Sequence, residues 1–311
     1  MESAVIVENL TRKFGHFVAV DHISFSIPRG QVFGFLGANG AGKSTTIRML
    51  CGLLKPTSGQ AIVAGYDIYH QSEEIKKVIG YMSQKFSLYR DLKVKENLEF
   101  FARVYGLDNK KFKSRVAELE EKIGLSGKEE LITGKLPVGW RQRLALACAI
   151  LHQPEIIFLD EPTGGVDPLA RRQFWDLIYD LSSEGKTIFV TTHYLDEAEY
   201  CQEIKIMHAG RIIAEGSPAQ IKKRYFPEKL FELVTAEPLR IYNWLKEQPE
   251  VEQISLFGKK LHLLISSDQV EQIQERGNSL GIGRFDLRPI VPTLEDVFIR
   301  RLEEAGGEKG K

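Results

Sequence analysis

Residues Gly37-Ala38-Asn39-Gly40-Ala41-Gly42-Lys43-Ser44 fit G-x-x-x-x-G-K-[ST], a loop that wraps phosphate oxygens in backbone N–H groups. The motif constrains the fold because such a loop works only between a buried strand and the start of a helix. Both flanks comply: Val32 to Leu36 reads as a short apolar strand and Thr45 to Leu50 as a helix. Glycines let N–H groups crowd round an anion without Cβ clashes, and the helix start adds partial positive charge at the same point. The expected phosphate ligands are Gly37, Asn39, Gly40, Ala41, Gly42, Lys43, Ser44 and Thr45. Lys43 is expected to reach the β- and γ-phosphates, and the Ser44 hydroxyl to hold Mg²⁺. With glycine at roughly 7% of residues, four fixed positions match by accident in about one chain in a hundred of this length.

Bulk properties narrow the reading. The 311 residues are 43% hydrophobic and 27% charged, an ordinary globular composition long enough for two domains. Lys plus Arg and Asp plus Glu are both 42, so the net charge is zero. That argues against nucleic acid as the main partner, which usually leaves a basic excess. Cys51, Cys148 and Cys201 are far apart with no C-x-x-C, so core positions in a reducing cytosol are expected rather than a metal site or disulfides. The start, Met1-Glu2-Ser3-Ala4, has no signal-peptide pattern. No apolar run approaches the roughly 18 residues of a membrane span. The expectation is a soluble cytoplasmic chain, peripheral on the inner face of the cell membrane only through separate partner subunits.

Strands alternating with helices around the loop imply an α/β core. Expected strands include Val5 to Leu10, Phe17 to Ile27, Ala61 to Ala64, Val78 to Met82, Ile156 to Leu159 and Thr187 to Thr191. A short polar helix is expected to close at Ile75 to Lys77. Further helices are expected within Val94 to Gly124, with Leu98, Phe101, Ala102 and Tyr105 on one face, and over Arg141 to Leu151. Composition shifts near Glu215-Gly216-Ser217-Pro218. We divide the chain into residues 1–225, carrying the loop, and an accessory domain over 226–311. The second part reads as strand Leu230 to Thr235, helix Leu239 to Lys246, strands Val251 to Leu256 and Lys260 to Ile265, helix Val270 to Leu280, and strand Arg284 to Ile290. That β-α-β-β-α-β order is the ferredoxin-like one. A last helix, Thr293 to Glu304, and a frayed tail from Gly306 complete it.

Asp160-Glu161 ends the apolar Ile156 strand, at the edge where ligands bind in open α/β sheets. One carboxylate there can hold Mg²⁺ through water while another orients or deprotonates an attacking water. An acid pair at a helix start is the plain alternative, and the neighbouring phosphate loop weighs against it. His193 and Gln84 also fall at strand ends. A lone histidine is more often structural, but its level with Asp160 reverses that. Gln84 offers its side-chain oxygen to Mg²⁺ or water, although alone it reads as a polar loop residue.

The order is distinctive: phosphate loop, Gln84, Leu136-Pro137-Val138-Gly139-Trp140-Arg141-Gln142, Asp160-Glu161, Gly165-Val166-Asp167, His193. Over residues 4–217 it resembles the ATP-binding cassette family, and most of all the exporter branch of drug and daunorubicin-type efflux ATPases. The segment Pro292-Thr293-Leu294-Glu295-Asp296-Val297-Phe298 resembles that branch too. The resemblance implies a phosphate-loop cassette fold with a mixed sheet core, an antiparallel β subdomain and a helical subdomain. It implies ATP and Mg²⁺ as ligands, a second ATP-binding subunit (a homodimer) and separate transmembrane permease subunits that dock near Gln84 to Leu107, where Phe86, Leu88 and Tyr89 lie. Phe14 resembles the aromatic that stacks on adenine, usually a tyrosine. Glu161 resembles the catalytic carboxylate, His193 the residue that contacts the γ-phosphate, Asp160 the acid on the Mg²⁺ side, and Asp167 part of the loop crossing to the partner subunit.

The signature segment departs from the family's L-S-G-G-Q. Pro137 replaces Ser, Val138 the first Gly and Trp140 the Gln, while Leu136 and Gly139 remain. In the family this segment opens a helix onto the opposite subunit's γ-phosphate. Pro137 has neither hydroxyl nor N–H, which leaves backbone donors such as those of Val138 and Gly139. The segment is either a working variant or a weakened site, and the intact Lys43, Asp160, Glu161 and His193 favour the first. The other functional class is a soluble cassette ATPase acting on ribosomes or DNA. Such chains usually carry two cassettes, a coiled-coil insertion or zinc-binding cysteines, and this one has a single phosphate loop and none of these.

Overall fold

The computed structural model describes residues 2–84, 88–227, 230–279, 282 and 286–307. The chain divides into two compact units, Met1–Glu215 and Gly216–Lys311.

The first unit opens with β1 (Ser3–Phe14) and β2 (Phe17–Pro28), an antiparallel hairpin. Next come β3 (Val32–Leu36), α1 (Lys43–Leu50), β4 (Ser58–Val63), β5 (Tyr66–Asp67), α2 (Ser72–Val78) and β6 (Ile79–Met82). A helical stretch follows, with α3 (Val94–Val104), α4 (Asn109–Lys122) and α5 (Val138–Ile150). The chain then alternates: β7 (Ile156–Asp160), α6 (Pro168–Ser183), β8 (Thr187–Thr192), α7 (Leu195–Ala198), β9 (Glu203–His208) and β10 (Arg211–Gly216).

These strands form two sheets. One runs β2-β1-β4-β5, and the other β10-β9-β3-β8-β7-β6. In the larger sheet β9, β3, β8, β7 and β6 are mutually parallel. Every residue of β3, β7 and β8 is buried, which explains the apolar stretches Val32–Leu36, Ile156–Leu159 and Ile188–Val190. Phe25 of β2 packs against Phe33, Phe35 and Phe189 of the larger sheet, with ring centroids 5.6–6.3 Å apart. Such pairs add about 0.5–1.5 kcal/mol each beyond area burial. One continuous core therefore joins the two sheets.

The parallel register sets the site. Leu36 pairs with Thr192, Thr191 with Asp160, and Leu159 with Met82. The carboxyl ends of four neighbouring strands thus lie level, and the phosphate loop, His193, Glu161 and Gln84 leave from them side by side. Helix α5 starts at Val138, three residues before the expected Arg141. Pro137 is extended, with ψ 155°, and acts as the N-cap, so the chain turns helical directly after it.

In the second unit, α8 (Pro218–Tyr225) leads to β11 (Leu230–Val234), α9 (Pro238–Lys246), β12 (Val251–Phe257), β13 (Lys260–Ile265), α10 (Val270–Ser279), β14 (Leu287–Ile290) and α11 (Leu294–Gly307). The sheet order is β12-β13-β11-β14, antiparallel throughout. Its core gathers Phe231, Leu233, Leu261, Leu263 and Ile265 from the sheet with Ile241, Leu245 and Ile273 from α9 and α10. Asp296 caps the start of α11 by accepting from Thr293 N–H at 2.7 Å, and its other oxygen lies 2.7 Å from His262 Nδ1 on β13. The last helix runs to Gly307, beyond the expected end at Glu304, because Glu303 to Gly307 contain no breaker before the paired glycines. Glu308 to Lys311, and the expected helix and strand termini at Leu280 and Arg284, lie outside the described residues.

Gly80 of β6 shows how closely α5 lies on the sheet. A Cβ there would stand 2.4 Å from the Ala149 carbonyl oxygen, a backbone atom that cannot swing aside. We expect Gly80→Ala to destabilise the chain by about 1–3 kcal/mol, the range for overpacking. Urea unfolding of the full chain measures it, and an unchanged midpoint would mean that α5 yields at this contact.

Candidate functional site

The phosphate loop connects β3 to α1. Gly42 has φ +110°, and a Cβ on it would lie 2.4 Å from Ala19 O, so only glycine closes the loop against β2. The first bond of α1 runs from Thr46 N–H to Gly42 O at 2.9 Å. The N–H groups of Lys43, Ser44 and Thr45 therefore stand at a helix start without intrahelical partners, the arrangement that binds anions. Lys43 is buried, and its Nζ donates to Gly37 O at 2.7 Å and Ala38 O at 3.2 Å. Burial pushes the Lys43 ammonium below the ordinary lysine range, and Glu161 partly restores it.

Asp160 and Glu161 close β7, both buried. Asp160 Oδ1 accepts from Thr191 Oγ1 at 2.6 Å and from Ser44 Oγ at 3.1 Å. Burial raises the Asp160 carboxyl above the ordinary carboxylate range, against the pull of those two hydroxyls. Glu161 is the meeting point of four strand ends. Its Oε2 accepts from Gln84 Nε2 at 3.0 Å and lies 3.1 Å from His193 Nδ1, and its Oε1 lies 3.4 Å from Lys43 Nζ. Its φ of +49° is a left-handed conformation that a glutamate adopts at a cost of about 1–3 kcal/mol. Two bonds hold it there: Glu161 N–H donates to Thr191 O at 3.1 Å and to Thr191 Oγ1 at 3.0 Å.

A buried cluster supports the loops on either side. Glu197 accepts from Thr192 Oγ1 at 2.6 Å, is bonded to Thr163 Oγ1, and lies 3.4 Å from Arg171 Nε. Arg171 also stacks over Tyr194 at 4.0 Å. The segment that follows Glu161 and the one that carries His193 are thereby tied together.

An open cleft of about 290 Å³ is lined by Phe14, Phe17, Ala19, Asn39, Gly40, Gly42, Lys43, Ser44, Thr45, Gln84 and Glu161. Phe14, part of the loop, Gln84 and Glu161 line this cleft, and Asp160 and His193 reach it through their contacts with Ser44 and Glu161. Val138, Gly139 and Asp167 are not part of this wall. Asp167 caps α6, accepting from Ala170 N–H at 3.0 Å. Val138 and Gly139 open α5, whose first helical bond is Arg141 N–H to Pro137 O at 3.1 Å. Trp140 lies between Lys128 Nζ, 4.1 Å over its ring, and Arg143, at 5.1 Å. Sequence reasoning did not single out Thr191, Glu197 or Phe17. The first two read as ordinary residues of a strand and a helix, and only their contacts give them a role. Phe17 read only as the start of a strand, and it is the register that places it opposite Phe14.

A buried lysine, a hydroxyl and two carboxylates around a helix-start anion cradle define a phosphate-loop nucleotide site. The donor set suits the ligand: N–H groups and Lys43 for phosphate oxygens, Ser44 Oγ and Asp160 Oδ1 for a hard divalent cation. The sequence matches the ABC transporter family model over residues 20–164. It is 38% identical over 315 residues to the bacitracin transport ATP-binding protein BcrA of Bacillus licheniformis, covering 100% of both chains. It is 50% identical over 221 residues to the probable multidrug ABC transporter ATP-binding protein YbhF of Escherichia coli, covering 71% of this chain but only 38% of YbhF. Among solved structures, the dimeric post-hydrolysis ATP-binding cassette MJ0796 bound to ADP and Pi superposes with TM-score 0.63 at 26% identity, covering 68% of this chain and 98% of that one. The chain belongs to the ABC transporter family, as an ATP-binding cassette.

Because burial raises Asp160, its charged form is the costly one in the folded protein. That cost is full above the folded pKa and disappears as pH falls below the unfolded value. Asp160→Asn keeps an acceptor for Thr191 and Ser44 and removes the charge. We expect it to melt higher than the parent at pH 7–8 without nucleotide or Mg²⁺, by about 2–4 °C, what 1 kcal/mol is worth in a domain of this size. The gap should close on acidification. Calorimetric scans across pH check both statements.

Proposed function

We propose that this chain binds and hydrolyses ATP to drive an exporter whose membrane passage is made by separate subunits. The observation that carries the proposal is the Glu161 carboxylate, held by Gln84, His193 and Lys43 at the mouth of the phosphate loop. Among the described residues no helix is long and apolar enough to cross a membrane, so the reading needs permease partners. The similarity to BcrA and YbhF, transport and multidrug transporter ATP-binding proteins, supports export over action on ribosomes or DNA.

In this reading phosphate oxygens replace the carbonyl partners of Lys43, and the amides of residues 42–45 complete the cradle. Ser44 and Asp160, with Gln84, would hold Mg²⁺, which would neutralise charge on the phosphates. Glu161 accepts the proton of the attacking water or orients it, and His193 steadies the γ-phosphate. Phe14 stacks on the base. Val138, Gly139 and Asp167 serve the site of a second copy, across a dimer interface. The MJ0796 cassette, dimeric and bound to ADP and Pi, supports both the ligand and the pairing. The exposed Tyr89 and Phe100 rings, edge-on at 4.7 Å, with exposed Val104, are the proposed dock for the permease. Phe86 lies outside the described residues. The antiparallel order of the second unit supports the ferredoxin-like reading of the accessory domain. We keep 1–225 and 226–311 as its functional division.

Glu161→Gln preserves the acceptor for Gln84 but removes the base. We expect ATP binding to persist and hydrolysis to fall about 10²-fold or more. Phosphate release and nucleotide titration on the same preparation test this, and wild-type turnover would mean that another group handles the water.

Pro137→Ser restores the family's hydroxyl at the N-cap of α5. Backbone N–H groups already make the expected contacts, so the change should alter ATPase activity only modestly. A tenfold gain, worth about 1.4 kcal/mol, would show instead a site weakened by Pro137.

A further inference from the structure

Asn97 of α3 is a fully buried amide that the nucleotide chemistry does not use. A buried amide is costly unless its donors and its acceptor are all served. Here each of them is. Asn97 Oδ1 accepts from Tyr89 N–H at 2.9 Å. Its Nδ2 donates to Tyr89 O at 3.0 Å, to Thr133 Oγ1 at 3.0 Å and to Lys93 O at 3.2 Å. One side chain thus joins three points of the chain: the segment that follows Gln84, the N-cap of α3 and the turn that precedes α5.

The backbone laces the same segments together. Thr133 N–H donates to Leu92 O at 2.9 Å, Gly134 N–H to Arg90 O at 2.8 Å and Val94 N–H to Leu131 O at 3.0 Å. Thr133 is itself fully buried, and its bond to Asn97 is the side-chain lock of this lacing. From Thr133 the chain runs directly into α5. Leu136 is buried, its N–H donates to Thr133 O at 3.2 Å, and its carbonyl accepts from Arg141 Nη1 at 2.6 Å. Pro137 follows as the N-cap. Pro137 offers neither hydroxyl nor N–H, so what the start of α5 can do for a phosphate depends on where the Val138 and Gly139 N–H groups stand. We propose that Asn97 is a positioning residue for the nucleotide site of a second copy. Through Thr133 it fixes the start of α5, so that backbone donors meet that nucleotide in place of a serine. This inference rests on the reading above that Val138 and Gly139 serve a second copy.

Two measurements on the full chain test it. Calorimetric titration with ADP reads the chain's own phosphate loop. Sedimentation with ATP, in a Glu161→Gln background that keeps the nucleotide unhydrolysed, reads the pairing of two copies. Asn97→Ala should weaken ATP-driven pairing by about tenfold, and Thr133→Val by about threefold, the effects of a buried amide and of one hydrogen bond. Thr133→Val keeps the shape of the side chain and leaves Asn97 its carbonyl partners, so it reports even where Asn97→Ala does not fold. Thr133→Ser restores the hydroxyl and should pair as the parent does. ADP affinity should stay parental throughout. Parental pairing by Thr133→Val, or an ADP affinity that falls in step with pairing, overturns the positioning role, while pairing of the Glu161→Gln chain itself leaves the two-copy reading standing. A Glu161→Gln chain that stays monomeric with ATP overturns both.

Discussion

The arrangement depends on burying two adjacent carboxylates beside one lysine without leaving any of the three unpartnered. A buried charge is costly unless paired or hydrogen-bonded. Asp160 is served by two hydroxyls, from Thr191 and Ser44. Glu161 is served by an amide, an imidazole and the ammonium of Lys43. These partners come from the ends of β3, β8 and β6, the carboxylates from the end of β7, and the parallel register makes those ends level. Slipping one strand would unpair a buried charge as well as a row of apolar side chains.

Strain and support are distributed accordingly. Glu161 sits in a left-handed conformation, and Thr191 on the neighbouring strand holds it with both backbone and side-chain oxygen. One threonine hydroxyl donates to Asp160 and accepts from the Glu161 amide, coupling the two adjacent acids. Glu197, fully buried, links the segment after Glu161 to the segment of His193 through Thr163, Thr192 and Arg171. These contacts fix the two segments relative to each other in this structure.

What could be read from the chain alone followed the range of the interactions. The phosphate loop was legible because its chemistry is local, in eight consecutive residues between a strand and a helix. Asp160, Glu161, His193 and Gln84 were legible because strand ends in a parallel sheet are predictable meeting points. The start of α5 was placed three residues late, since Val138 and Trp140 are indifferent helix formers and only the geometry after Pro137 decides. Thr191 and Glu197 were invisible as site residues because their roles depend on neighbours 31 and 34 residues away in sequence. Phe17 needed the hairpin register, which places it opposite Phe14.

The central claim is that the buried carboxylates and the phosphate loop form one hydrolytic centre rather than a loop that merely binds. Continuous measurement of inorganic phosphate released from ATP by the purified chain, with and without Mg²⁺, addresses it most directly. The account predicts sustained release of many equivalents per chain that stops when Mg²⁺ is chelated and resumes when it is restored. Tight ATP binding with no phosphate release in either condition would contradict it.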